Sequence, residues 1–295
     1  MPRPIIPLFL SLLLAVTGCS LSQQDDPGKG QPTVVTALYP LEFIAREVVG
    51  DHAQVRNLAV PGAEPHDLAL QPSQVAALTR ATTVFYVAGF QPELDKVVAN
   101  QDPKHAVNAL DLAARATNQN PDSDLDPHFW LDPDLTTSVV TGFAEQMQAA
   151  DPVNSAAYAA NATALNQRLQ ALDAEYREGL SNCRLTSIVV SHNAFSYLAD
   201  RYGLSVHSIA GLAPDAEPSP KQLHELSELI RQKGITTIFY EPLASRDPAA
   251  SLARETSTDL AVLDPIEGKP RNGAADYFGL MQANLSALRK ANQCQ

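Results

Sequence analysis

The sequence predicts an α/β protein of two parallel-sheet lobes joined by one long rigid α-helix. Two features carry that prediction. Short β-branched and apolar runs alternate with helical stretches over 33–153 and again over 183–295, the signature of parallel strands with crossover helices. Between them, residues 154–182 hold no proline and a single late glycine, Gly179, while Leu165, Leu169, Leu172, Tyr176 and Leu180 recur at a three-to-four spacing. One helix over that stretch would reach about 43 Å at 1.5 Å per residue, and a rod packed on both lobes restricts hinge motion where a flexible linker would allow it.

In the first lobe, TVVTAL over 33–38 reads as a strand, 41–49 as a helix stopped by Gly50, and VRNLAV over 55–60 as a second strand stopped by Pro61-Gly62. Pro72 opens a helix, since proline is tolerated in the first turn. TTVFYVA over 82–88 is a buried-type strand, 93–100 a short helix, and 134–149 a longer one. In the second lobe, strands are expected at 187–191, 204–210, 235–240 and 260–263, with helices at 221–232, 246–258 and 274–291.

The N-terminus reads differently. Residues 5–16 are nearly all apolar but too few to span a hydrocarbon core of ~30 Å, so 1–18 is expected to be a signal peptide. Val16-Thr17-Gly18-Cys19 resembles the lipobox of bacterial lipoproteins, which implies that Cys19 carries acyl chains. The rest of 19–32 is polar and rich in Gly, Gln, Asp and Pro, a flexible tether. The protein is therefore expected to be exported and lipid-anchored to the outer face of the cytoplasmic membrane. The formal charge of −12 argues against a nucleic-acid partner and suits a soluble domain that attracts cations. Of three cysteines, Cys183 and Cys294 remain once Cys19 is assigned to lipid; outside the cytoplasm they are expected to pair, the alternative being two free thiols.

The chemistry rests on three histidines, each more than sixty residues from the next: His66 in GAEPHDL, His128 in LDPHFWLDP and His192 in VVSHNAF. Asp264, in AVLDP, ends another apolar run. Only a whole fold can gather ligands so far apart, and three neutral imidazoles with one carboxylate suit a four-coordinate zinc site. Most of these positions follow strands, where open α/β sheets bind their ligands. Each ligating histidine needs its other ring nitrogen held; Asp67, Asp126 and Asp132 are near in sequence. Glu241, after another strand, is a hydrogen-bond acceptor for a ligand or the fourth ligand in place of Asp264. The acids Asp122, Asp124, Asp126, Asp132 and Asp134 around His128 raise the local cation concentration. His52, His105, His207 and His224 read as surface residues.

These stretches resemble the metal-binding lipoproteins of bacterial zinc/manganese ABC importers, the cluster A-I (cluster 9) solute-binding family. The likeness runs through TALYPLEFIAREVVGD, PGAEPHDLALQPSQVAAL, GFQPE, DPHFWLDP, VVSHNAFSYLADRYGL, PSPKQL, IFYEP and AVLDPIEG, nearly the whole exported chain. It implies a metal in the cleft between the lobes, with ligands at His66, His128, His192 and Asp264. Histidine at the third position is typical of the zinc branch, where the manganese branch has a carboxylate. Many zinc members carry a histidine-rich loop before the second ligand; here 118–126 holds acids and no histidine. The function implied is capture of Zn²⁺, with Mn²⁺ the alternative cargo, and its delivery to a membrane permease of an ABC importer by a monomeric receptor with no catalytic role. A different class of reading is a three-histidine zinc hydrolase or hydratase with Glu241 or Asp264 as general base. An adhesin role has no support from the residues themselves.

Overall fold

The computed structural model describes residues 30–100, 102, 105–117, 125–214, 218–269 and 275–295. The expected signal peptide, Cys19 and most of the expected tether lie outside the described residues, as do Asp122 and Asp124. Residues 31–295 form one compact unit. Among the described residues no helix is long and apolar enough to cross a membrane.

Two four-stranded sheets, all parallel, carry the architecture. The first has β1 (Thr33–Thr36), β2 (Gln54–Asn57), β3 (Thr83–Tyr86) and β4 (Ala106–Asn108) in the order β2-β1-β3-β4. Around it lie α1 (Tyr39–Val49), α2 (Pro72–Arg80), α3 (Pro92–Val98), α4 (Ala109–Thr117) and α5 (Pro133–Ala150). α6 (Ser155–Leu180) follows as a single helix of 26 residues. The second sheet has β5 (Ser187–Val190), β6 (Ser205–Ser208), β7 (Thr237–Tyr240) and β8 (Asp259–Val262) in the order β6-β5-β7-β8, with α7 (Ser196–Tyr202), α8 (Pro220–Lys233), α9 (Asp247–Thr256) and α10 (Tyr277–Ala291). The two sheets thus repeat one topology, each with its switch point between its first and third strands.

Local sequence chemistry sets the boundaries. Ser219 and Gln222 form a reciprocal capping box at the start of α8, and Pro220 fills its first turn. The α8 helix ends at Gly234, whose left-handed φ of 65° costs a glycine little. Asp132 caps α5 by accepting from Asp134 and Leu135 N–H, again just before a proline. Most strands stop short of the carboxyl ends of their apolar runs, as β1 does, where Leu38 already caps α1. Three elements have no counterpart in the sequence pattern. β4 spans three residues, and α4 and α7 span nine and seven, too short for their periodicity to stand out.

A large core spans both lobes, beside a smaller apolar cluster within each. One apolar cluster runs from Val34, Leu38 and Phe85 of the first sheet, through Leu165, Leu169, Leu172 and Tyr176 of α6, to Val190, Phe239 and Leu288 of the second lobe. Tyr176 is fully buried and donates its hydroxyl to Met281 O of α10 at 2.6 Å. Arg201 of α7 ties three elements together, with Nε at 2.6 Å from Asp173 of α6 and 3.2 Å from Asp132, and Nη1 at 3.0 Å from Asp134 of α5. Cys183 and Cys294 are disulfide-bonded, fastening the chain end after α10 to the segment after α6.

Candidate metal centre

His66 lies in a short 3-10 turn (Pro65–Asp67) beyond β2, and His128 immediately before another (Phe129–Leu131). His192 follows β5 at the switch point of the second sheet. These three converge with Glu267, which follows β8, and one ligand atom from each lies within 4.8 Å of all the others. Glu267 Oε1 stands 3.1 Å from His128 Nε2, 3.2 Å from His192 Nε2 and 3.5 Å from His66 Nε2. His128 Nε2 and His192 Nε2 are 3.4 Å apart. A tetrahedral ion with bonds of 2.0–2.1 Å has ligand atoms roughly 3.3–3.4 Å from one another, so these separations already match the edges of a zinc tetrahedron. His66 Nε2 is buried with no hydrogen-bond partner and lies in the same group of potential ligand atoms.

Two of the rings are oriented by one device. Asp126 Oδ1 accepts from the backbone N–H of His128 at 3.0 Å and lies 2.6 Å from its Nδ1. Glu241 Oε1 accepts from the backbone N–H of His192 at 3.2 Å and lies 2.7 Å from its Nδ1. A carboxylate on Nδ1 holds the proton there and leaves Nε2 as the donor to a metal. His66 is held by packing and backbone instead: its ring stacks on Phe90 at 4.0 Å between centroids, and Glu64 accepts from its N–H at 3.3 Å. Gln91, buried, donates to both Pro65 O and Ala37 O, fixing the turn.

The electrostatics favour a cation. Burial opposes charging of His192, yet its hydrogen bonds to Glu241 and Glu267 outweigh that and push its pKa up to about 10. His128 is raised by the same contest between burial and its bonds to Asp126 and Glu267. Burial would raise Glu267, but the three imidazoles around it hold it well below the usual carboxylate range. Nearby, burial and the Glu267 charge lift Glu64 to about 7.

Asp264 stands outside the ligand group. Its Oδ1 accepts from Ile266 N–H at 2.8 Å, and its backbone is clamped to Asn284 through a pair of hydrogen bonds. Burial, partly offset by the Ile266 N–H, raises its pKa to about 6. The carboxylate at the cluster is therefore Glu267, three residues on, where the sequence reading has Asp264. The apolar run points to the residue at its end; Glu267 is delivered by a turn at Ile266, whose φ is +60°, which no periodicity reveals. A usable signal was present in the second acid of LDPIEG, directly before Gly268. A Cβ at Gly268 would fall 2.6 Å from Leu243 and 3.3 Å from Ala63 O, so the chain there threads between two loops. Among Asp67, Asp126 and Asp132, only Asp126 meets a ligand ring; Asp67 is exposed and Asp132 caps α5.

Residues 34–291 match the family described as the zinc-uptake complex component A, periplasmic. The chain belongs to this family. The zinc-binding lipoprotein AdcA of Streptococcus pneumoniae is 33% identical over 95% of this chain, which spans 60% of that relative's length. The high-affinity zinc uptake system protein ZnuA of Bacillus subtilis is 30% identical over 94% of this chain and 93% of its own. Among solved structures, the Zn(II)-bound ZnuA-like domain of S. pneumoniae AdcA superposes with a TM-score of 0.75 at 32% identity, covering 89% of this chain and 99% of that one. The laminin-binding protein Lmb of Streptococcus agalactiae, described as a bifunctional adhesin and metal transporter, gives 0.77 at 29% identity over 88% of this chain and 99% of its own. Family members of this kind are solute-binding components of transport systems, with zinc as the ligand their names give.

Proposed function

We propose that this protein captures Zn²⁺ outside the cytoplasm and delivers it to the membrane permease of an ABC importer, with His66, His128, His192 and Glu267 as ligands. The observation that carries the reading is the set of 3.1–3.5 Å separations between Glu267 Oε1 and three imidazole Nε2 atoms, the spacing a tetrahedral zinc requires. Glu267 supplies a fourth protein donor. That closes the coordination sphere where a hydrolytic zinc keeps a position for water, so binding and transport are favoured over catalysis. Three nitrogen donors to one carboxylate favour zinc over manganese, which prefers oxygen. Asp126 and Glu241 orient and strengthen two of the rings, and Cys19 would tether the receptor to the membrane through its acyl chains.

The test is titration of the purified, metal-stripped protein with Zn²⁺, and separately with Mn²⁺, by calorimetry. One Zn²⁺ per chain, bound well ahead of Mn²⁺ and lost sharply in His128→Ala, is expected. An unchanged isotherm in that variant would remove the ligand set.

A further inference from the structure

Glu267 lies in the sequence of the second lobe, directly after its last strand, yet its backbone is bonded to the first. Three alternate carbonyls of the segment 265–269 accept hydrogen bonds from first-lobe donors. Trp130 Nε1 donates to Pro265 O at 2.7 Å, Tyr39 N to Glu267 O at 3.0 Å, and Gly62 N to Lys269 O at 2.9 Å. The donors come from three separate segments of the first lobe. The transfer between lobes is abrupt. Asp264 is still locked to α10 of the second lobe by its hydrogen-bond pair with Asn284, and Leu263 N still donates to Tyr240 O of β7. Between the two attachments sits Ile266, fully buried at a φ of +60°, a region that β-branched residues rarely enter. Gly268 then passes between Ala63 and Pro65 on one side and Leu243 on the other, where a Cβ would collide.

We infer that residues 265–269 form a strap carried by the first lobe, with Trp130 as a positioning residue for Glu267. His66, His128 and Glu267 then belong to one body, and His192, with Glu241 behind it, is the lone ligand on the other. Relative movement of the lobes breaks the cluster at His192 first and leaves three donors together. The reason lies in where the hydrogen bonds go: shifting Glu267 away from His66 and His128 would cost three backbone-carbonyl bonds, whereas shifting His192 costs none of them. This rests on the four-ligand reading above.

A double-mutant cycle on zinc affinity tests it, using the full chain as wild type, Trp130→Phe, Glu267→Gln and the double variant, with thermal melting of each metal-free form. Trp130→Phe keeps an aromatic ring but removes the donor to Pro265 O. It is expected to weaken zinc binding about 10–100-fold, the range found when groups that orient a ligand are lost, and to add nothing in the Glu267→Gln background. Binding at wild-type strength in Trp130→Phe, or an equal loss in both backgrounds, overturns the inference while leaving the ligand set intact. Wild-type binding by Glu267→Gln would instead overturn the four-ligand reading itself. Hydrogen exchange on the unsubstituted protein covers the case in which Trp130→Phe fails to fold. After zinc is stripped, the Tyr39 and Gly62 amides are expected to stay protected; their free exchange in that state would also overturn the inference.

Discussion

The two lobes share a topology and use it differently. In the second sheet, the switch-point strands β5 and β7 lead straight into His192 and Glu241, a proposed ligand and the carboxylate on its Nδ1. In the first sheet, the corresponding strands β1 and β3 lead to Ala37 and to Phe90 and Gln91, which supply no ligand and instead hold His66 by stacking and by a fixed turn. The first lobe's own proposed ligands arrive on longer excursions, His66 beyond β2 and His128 beyond α4, each beside a short 3-10 turn. A crevice at a switch point is thus a place where chain ends diverge, and either a ligand or its support can fill it.

The largest test of this contrast is loss of a ligand from each side. His192→Ala and His66→Ala should both weaken zinc binding by more than 100-fold, beyond the 10–100-fold range for groups that merely orient a ligand. A competitive-chelator titration measures both, and a small effect in either would show that one lobe contributes less than its geometry implies. Next comes the shared carboxylate device. Asp126→Asn and Glu241→Gln should each cost about 10–100-fold in affinity, since each removes a charged acceptor from Nδ1 of a buried ring; Asp264→Asn, with its Oδ1 turned to Ile266 N–H, should cost less than Glu267→Gln.

Acid should weaken zinc capture, because metal must displace protons from the rings. With His192 raised to about 10 and His128 also raised, the metal-free site carries protons at neutral pH. Affinity should therefore climb as pH rises from 6 to 8, and calorimetry in buffers of different ionisation enthalpy should register proton release. In the metal-free protein the sign for stability is opposite. The His192 contribution is complete below its unfolded value near 6.5 and fades as pH rises through about 10. The smallest effect on binding is expected from Cys183→Ser with Cys294→Ser. Removing the disulfide should cost about 2–5 kcal/mol of stability by chemical denaturation while leaving one zinc per chain, because the bond joins the segment after α6, before β5, to the segment after α10, while His192 follows the other end of β5.

Much of this was legible in the residues. Proline and glycine punctuation marks the helices, and α6 was announced by Leu165, Leu169, Leu172 and Tyr176 on one face. His192 stands out because an apolar run stops at it, and His128 because prolines and acids flank it. Short elements such as β4 and α7 were not legible, since a few residues carry too little periodicity. Nor was the shared apolar core, because an apolar stripe names a buried face without naming what covers it.

The sequence alone singled out the three histidines as candidate metal ligands and showed that only a complete fold could gather them, since both follow from residue chemistry and spacing along the chain. Tertiary structure alone decided that Glu267, not Asp264, faces the three imidazoles. That choice depends on a left-handed turn at Ile266 and on carbonyls captured by Trp130, Tyr39 and Gly62, contacts between segments more than a hundred residues apart that no local pattern encodes.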